Sequence, residues 1–340
     1  MKKRVLDSVQ DAELQTRFHP ESTVHIYTET GPTVRERAIL REEHWKRQKF
    51  IGGGSFGNVW LERCVQGRRE VGLRAVKEVI KSPHDSKQID YNRELEAISK
   101  FSHRNYERCF VKSFGWFENE NAIFIAMEYF EHGDLQHYLH SAPPLPESDA
   151  QQITFQVLEG LHFMHENDYS HRDLKPGNIL VRSKSPDLWW VKLSDFGISK
   201  RAADNLAASS TLKGTLRYMA PELLGFVEPG EESDSHNAQA ADLWALGEIS
   251  FQMLTKEPTF KYINLLSTYI RSPDSFPSAA LRGYNVSEVA IDFIKSLMQP
   301  KPEDRQTTSK ALLQAWMLPY NSHTTETSVS TEYVWPTSGK

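Results

Sequence analysis

Near residue 130 the hydrophobic pattern of this 340-residue chain changes from that of strands to that of helices. That single switch restricts the fold to a β-rich part followed by a helical part. Between about 46 and 125, short runs of β-branched and aromatic residues lie between Gly-containing turns: Lys49–Ile51, Asn58–Arg63 and Leu73–Ile80. One helix is predicted among them over Ser86–Phe101, with Ile89, Leu95, Ile98 and Phe101 at helical spacing. Beyond Gly133 the period is helical. Ile153, Val157, Leu161 and Met164 form one stripe in a helix over Ala150–Glu166. Asp242–Thr255 is apolar almost all round and belongs at the centre of the helical part. Val286–Met298, with Val289, Ile291, Phe293, Ile294 and Leu297, is a third helix. A hinge is expected near Glu128–Gly133.

The two ends differ from this core. Residues 1–44 read as an extension, with Thr33–Arg47 a short, densely charged amphipathic helix leading into the fold. Residues 319–340 are rich in Ser and Thr without an apolar period, and are expected to be a disordered tail. Forty Lys and Arg against 45 Asp and Glu give a formal charge of −5, which tells against a broad basic face for nucleic acid. Two cysteines, Cys64 and Cys109, make no disulfide framework and suit a reducing compartment. The charged start lacks the apolar core of a secretory signal, and no run approaches the roughly 18 apolar residues of a membrane helix. These features predict an intracellular protein, cytoplasmic or nuclear, with no membrane span.

The chemistry is concentrated in three places. Gly52-Gly53-Gly54-Ser55-Phe56-Gly57 is a G-x-G-x-x-G string, whose glycines let backbone N–H groups approach phosphate oxygens. The same string serves a dinucleotide fold or a plain turn. Here Val59-Trp60-Leu61 follows as a strand rather than a helix, which puts the glycines on a β-hairpin. Lys77 ends the apolar stretch Ala75-Val76-Lys77. Alone it would be a solvated edge charge, but Glu94 on the following helix is placed to pair with it. Glu96, about 200° round that helix, competes for the same role. Last comes His171-Arg172-Asp173-Leu174-Lys175-Pro176-Gly177-Asn178, followed by Asp195-Phe196-Gly197. Pro176 makes the first of these a loop. It carries a carboxylate, an ammonium and a carboxamide within six residues, a set suited to a hydroxyl nucleophile, a phosphate and a divalent ion. Asp195 adds a hard oxygen ligand of the kind Mg²⁺ prefers.

With these residues in view, the chain resembles the eukaryotic-type protein kinase superfamily over about residues 45–317. Ile51–Val59 resembles the Gly-rich loop and Ala75-Val76-Lys77 the V-A-I-K strand. Glu94 takes the place of the αC glutamate, and Met127-Glu128-Tyr129 that of the segment joining the lobes. Ala220-Pro221-Glu222 matches A-P-E, Asp242–Gly247 the αF helix, and Arg305 the late arginine that pairs with that Glu. The resemblance implies an α+β, bilobal kinase fold. A small β-rich N-lobe (about 45–130) and a larger helical C-lobe (about 131–318) would have the ATP cleft between them.

The resemblance also implies roles. Ile51, Gly52, Gly53, Gly54, Ser55, Phe56, Gly57 and Asn58 would cover ATP. Its adenine would lie between Val59 and Ala75 on one side and Leu180 on the other, with its edge on main-chain groups near Glu128–Phe130. Lys77, held by Glu94, would contact the α- and β-phosphates, and Asn178 and Asp195 would hold Mg²⁺ (or Mn²⁺). Asp173 would orient the substrate hydroxyl and accept its proton while Lys175 steadies the γ-phosphate. Lys175 two residues after Asp173, with Gly214-Thr215 ahead of A-P-E, resembles serine/threonine kinases, so the expected partners are proteins bearing Ser or Thr. Arg172 suggests regulation by a phosphate on Thr211, with Ser209 and Ser210 as alternatives, placed by an upstream kinase or by the chain itself. Asp-Phe-Gly-Ile-Ser-Lys resembles calcium/calmodulin-dependent or checkpoint-type kinases. A pseudokinase scaffold and a small-molecule kinase are the competing readings. The intact Lys77, Asp173, Asn178 and Asp195 stand against the first, and the Gly214…Glu222 segment against the second. The polar stretch Glu228–Asn237 is expected to be an exposed loop insertion, and Ser185–Trp190 a widened hairpin whose tryptophans either pack or form an exposed patch.

Overall fold

The computed structural model describes residues 11–29, 39–54, 57–67, 72–81, 91–195, 216–228 and 234–321. The chain divides into two compact units. One draws on Met1–Leu135, His171–Pro186 and Val191–Leu216; the other on Gln136–Ser170, Asp187–Trp190 and Arg217–Lys340.

The first unit is built on a seven-stranded antiparallel sheet: β1 (Gln15–His19), β2 (Ser22–Glu29), β3 (Ile39–Gly54), β4 (Gly57–Gln66), β5 (Leu73–Ile80), β6 (Ser113–Glu118) and β7 (Ala122–Met127). The spatial order is β1-β2-β3-β4-β5-β7-β6. Helix α1 (Tyr91–Phe101) connects β5 to β6. The expected helix over Ser86–Phe101 is therefore present from Tyr91; residues 86–90 lie outside the described residues. Strand β7, AIFIAM, is apolar without alternation because both of its faces are covered. Phe124 and Ala126 join Val76 and Phe117 in one cluster, while Ile123 and Ile125 meet Leu95 of α1 in another.

The sheet curls until the segment before β1 meets β6. Leu14 N–H donates to Trp116 O (2.7 Å) and Trp116 N–H to Ala12 O (3.0 Å), so β6 does not present a bare edge there. Gly115 makes this approach feasible. Its φ is +118°, and a Cβ at that position would stand 2.6 Å from Ala12 O.

The extension departs from its reading. Residues 39–47 of the expected helix Thr33–Arg47 are strand, paired to β2 from Glu29↔Ile39 to Thr23↔Trp45. Residues 33–38 lie outside the described residues. Dense charge fits the solvated face of either a helix or a strand, and only a pairing partner decides. That partner, β2, lies in the stretch read as an extension. Trp45 then points inward, where the Arg74 guanidinium lies 4.0 Å from its ring.

In the second unit the helices are α2 (Leu135–Ser141), α3 (Glu147–His165), α4 (Asp234–Thr255), α5 (Ile263–Arg271), α6 (Ser278–Gly283), α7 (Glu288–Leu297), α8 (Thr308–Leu312) and α9 (Leu318–Asn321). The α3 stripe of Ile153, Val157, Leu161 and Met164 is buried as its spacing predicts. So are Ile291, Phe293, Ile294 and Leu297 on α7, whereas Val289 is exposed. Helix α4 begins at Asp234, so residues 234–237 of the expected loop insertion are helix; 229–233 lie outside the described residues. The tryptophan question has a clear answer at Trp189. It is buried, its ring N–H donates to Asp149 (2.9 Å), and Tyr138 packs edge-on at 5.0 Å. The tail after Asn321 lies outside the described residues. Among the described residues no helix is long and apolar enough to cross a membrane.

Candidate active site

The glycine string is a hairpin between β3 and β4, with Gly52↔Val59, Gly53↔Asn58 and Gly54↔Gly57 in register. Gly57 has φ +125°, and a Cβ there would lie 2.1 Å from Glu78 O of the neighbouring strand, so no other residue fits. Ser55 and Phe56 lie outside the described residues. Ile51, Asn58 and Val59 are half-buried.

Pairing with β4 and β7 carries Lys77 inward on β5, opposite Val59 and Ile125. Its side chain is only 4% exposed, and its ammonium lies 2.7 Å from Asp195 Oδ1. Burial alone would push the Asp195 carboxyl up. The Lys77 ammonium, hydrogen-bonded to it, and the Lys175 charge hold it below its ordinary value, so it is an anion. The Glu94 side chain, expected to hold Lys77, lies outside the described residues. Glu96 is half-buried on α1.

Between α3 and β8 (Ile179–Ser183) the His171–Asn178 segment is a loop, ending in a single 3₁₀ turn at Pro176–Asn178. Pro176 opens that turn, where a missing N–H costs nothing. The loop holds its functional groups together by its own bonds. Lys175 Nζ donates to Asp173 Oδ2 (2.6 Å). The Asn178 amide donates to Asp173 O (2.8 Å) and Oδ2 (3.1 Å). With its N–H₂ committed to Asp173, Asn178 presents its Oδ1 as an acceptor, and no described group donates to it. Strand β9 (Trp190–Leu193) leads to Asp195, and that limb is tied to the loop. Ser194 N–H donates to Asn178 O (2.9 Å), and a His171 ring nitrogen lies 3.0 Å from Ser194 O. Asp173, Lys175, Asn178, Lys77 and Asp195 thus belong to one unit. Two of its non-glycine residues, Arg172 (φ 65°) and Asp195 (φ 56°), hold left-handed backbone, a strain that clusters at functional sites.

Ala75 and Phe130 are buried, and Leu180 and Glu128 half-buried. Beyond Met127 a turn closes with Gly133 N–H to Phe130 O (3.2 Å), and no described group accepts from Phe130 N–H. Arg172 is exposed. Thr211, Ser209, Ser210 and Gly214-Thr215 lie outside the described residues. In the helical unit, Arg305 grips Glu222 by two hydrogen bonds of 2.7 Å, the pairing the resemblance implied. One feature had no sequence signal. Lys192, three residues before Asp195, is buried and lies 2.7 Å from Glu128 Oε1. In VKLSD it reads only as one residue of an alternating strand.

Among the described residues, no three His, Cys, Asp or Glu side chains cluster to hold a metal by themselves. A divalent ion would need oxygens from a bound phosphate beside the carboxylate of Asp195 and the carboxamide of Asn178. Those two hard donors fit Mg²⁺ held in that shared way.

A Gly-rich hairpin on a curled sheet, an inward lysine and a loop of Asp, Lys and Asn beside a second Asp define a phosphotransferase of the kinase class. The comparisons identify the family. The protein kinase domain model matches residues 45–317, and the chain belongs to that family. It is 31% identical over 276 residues to "Serine/threonine-protein kinase RAD53" of Saccharomyces cerevisiae, covering 79% of this chain and 32% of that protein. It is 30% identical to "Calcium/calmodulin-dependent protein kinase type 1" of Caenorhabditis briggsae, covering 82% and 73%. The resemblance to checkpoint-type and calcium/calmodulin-dependent kinases is thereby borne out. The chain spans about a third of RAD53 and 62% of the Schizosaccharomyces pombe kinase cds1. Among solved structures, the Rad53 kinase domain with SCD2 superposes with a TM-score of 0.58 at 29% identity, covering 76% of this chain and 86% of that one. Rad53 1-466 in complex with AMP-PNP does so at 0.62 and 24%, covering 87% and 82%. The fold is that of the protein kinases: a curled antiparallel sheet and a helical C-lobe.

Proposed function

We propose that this chain is a serine/threonine protein kinase that transfers the γ-phosphate of ATP to protein hydroxyls, with residues 45–318 as its catalytic domain. The observation that carries the reading is the set Asp173, Lys175 and Asn178, cross-bonded within one loop and tied to the limb of Asp195, which Lys77 grips. The β1–β2 hairpin of the first 44 residues is a companion built onto the catalytic sheet.

In this reading the adenine edge lies along the main chain of Glu128–Phe130, where Phe130 N–H is an available donor. Val59 and Ala75 pack on one side of it and Leu180 on the other, under the hairpin residues Ile51–Asn58. Lys77 turns its ammonium from Asp195 to the α- and β-phosphates, with Glu94 as its second partner. Mg²⁺ (or Mn²⁺), held by Asn178 and Asp195, would offset charge on the transferring phosphoryl group. Asp173 receives the Ser or Thr hydroxyl in the position Lys175 now fills, orients its oxygen and accepts its proton. Lys175 shifts to the γ-phosphate. Because the transition state is loose, these groups act by placement and by charge rather than by strong basicity. Arg172, exposed in the same loop, would pair with a phosphate on Thr211.

Transfer of labelled phosphate from MgATP to a degenerate peptide array, with Asp173→Asn as control, tests the assignment. The expected result is Ser/Thr labelling that falls at least about 100-fold in Asp173→Asn while ATP binding persists. Labelling unaffected by Asp173→Asn, or confined to tyrosine, overturns the reading. The regulatory part fails separately if Thr211→Ala protein, never exposed to ATP, is as active as the phosphorylated parent.

A further inference from the structure

We propose that the Lys192–Glu128 pair is a positioning clamp that sets the spacing between the adenine edge of the nucleotide site and its metal limb. The inference rests on the site reading above, in which main chain near Glu128–Phe130 meets the adenine and Asp195 holds the metal.

The two functions sit on separate stretches of chain. One follows strand β7; the other ends strand β9. The segment Cys109–Lys112 runs between them and is stitched to both. On one side, Leu193 N–H donates to Cys109 O (2.8 Å) and Val111 N–H to Leu193 O (2.9 Å). On the other, Glu128 N–H donates to Lys112 O (3.0 Å), and Lys112 N–H to Glu128 Oε1 (2.8 Å). The Lys192 ammonium spans the whole arrangement. It reaches the same Glu128 Oε1 at 2.7 Å from a side chain only 3% exposed. Asp195, three residues on, is thereby fixed relative to a residue two positions before Phe130.

Stability alone does not explain a pair of this kind. Burying two charges consumes most of what their attraction returns, and an apolar pair of the same volume fills the space as well. What an apolar pair lacks is direction. A charge-assisted hydrogen bond fixes distance and angle between its two strands, which van der Waals contact does not. The pair is also separate from the catalytic charges, since Asp195 already has Lys77. Lys192 therefore acts through position, and it is a positioning residue.

The test compares the full-length chain with Lys192→Met/Glu128→Gln and with Lys192→Arg. The double variant keeps volume and leaves no uncompensated buried charge, so it avoids the misfolding that Lys192→Met alone invites. Melting temperature, kcat, KM for MgATP, KM for a peptide and ATP affinity with and without Mg²⁺ are measured. The expected result is a double variant that melts within a few degrees of the parent. Its KM for MgATP rises about tenfold, as loss of one charge-assisted bond predicts, while the peptide KM is unchanged. The gain in ATP affinity given by Mg²⁺ shrinks by a similar factor, because that gain reads the coupling between the two limbs. Lys192→Arg, which keeps the charge, restores the parental KM. A folded double variant with parental KM and parental Mg²⁺ effect overturns the clamp, as does a peptide KM that rises in parallel. Asp173→Asn separates the two readings. If it abolishes transfer while the double variant is kinetically normal, the clamp falls and the site stands. If it leaves transfer intact, the site reading falls first.

Discussion

Each unit of this protein buries one arginine against a carboxylate and a tryptophan face, and the two arginines are satisfied very differently. In the helical unit all five N–H groups of Arg305 have acceptors. Two go to Glu222 (2.7 Å each), and the others to Gln299 O, Ala240 O and Pro300 O at 2.8–3.2 Å. In the β unit, Arg74 makes two bonds to a single oxygen of Glu62 (2.7 and 3.0 Å) and a long one to Thr23 (3.5 Å). Its remaining face lies against Trp45 and Phe117. Burial accordingly pulls the Arg74 pKa down, against the raising effect of Glu62. The difference teaches what each charge is for. Arg305 is a knot tying loop carbonyls and a carboxylate to one point, and only a planar fork with five donors can do that. Arg74 is mostly a space-filling cation inside a curled sheet, which an apolar residue would serve nearly as well.

The largest expected effect follows from that contrast. Replacing Arg305 and Glu222 together with Met and Leu should cost on the order of 3–5 kcal/mol, because three buried carbonyls lose their donors. Replacing Arg74 and Glu62 in the same way should come within about 1 kcal/mol of the parent, or stabilise it. Urea unfolding of both double variants decides this, and equal costs would erase the distinction.

Smaller effects separate the units by pH. Glu248 on α4 is buried, and burial pushes its carboxyl up to about 8, against the Thr259 hydrogen bonds that lower it. Between the ordinary carboxylate pKa and about 8 the unfolded chain has lost a proton that the folded chain keeps. Stability therefore falls as pH rises through this window. His25 on β2 is the reverse. Burial, and then the Arg74 charge, lower its pKa to about 3. As pH falls from about 6.5 toward 3, the unfolded chain takes up a proton that the folded chain refuses, and stability is lost on the acid side. Glu248→Gln should stabilise the protein by about 2 kcal/mol or more at pH 8 and far less at pH 5. Removing the His25 ring as His25→Gln should flatten the acid limb, whatever it does to stability at neutral pH. Melting curves across pH 4–9 check both, and parallel curves for parent and variant would dismiss either group.

The smallest effect concerns the closing of the sheet. Gly115→Ala places a methyl against Ala12 O and should cost about 1–3 kcal/mol, with loss of amide protection at Leu14 and Trp116 in hydrogen exchange. Unchanged protection there would mean the segment before β1 can withdraw freely.

How much of this was legible depended on the range of the interaction. The helix stripes of α3 and α7 were readable because burial at intervals of three and four leaves a mark within one element. Val289 escaped because periodicity gives a face and not its margins. The Gly-rich hairpin was legible because Gly57 must be glycine where Glu78 O comes so close. The Asp173–Asn178 set was legible because its groups lie within six residues and bond to one another. Strand 39–47 was misread, since its partner lies at 23–29 and a charged run carries no sign of what it pairs with. Lys192–Glu128 and Arg74–Glu62 left no mark either, because nothing in a lysine or an arginine announces that tertiary contacts will bury it.

By itself, the sequence determined that a sheet precedes a helical bundle, that glycines line a hairpin, and that a carboxylate, an ammonium and a carboxamide share the loop Asp173–Asn178. These are local consequences of residue type and spacing. Only the tertiary structure decided that the first strands complete the catalytic sheet, which charges are buried, and which partner each takes. Burial and pairing are set by distances across the chain, and a linear pattern contains no such distances.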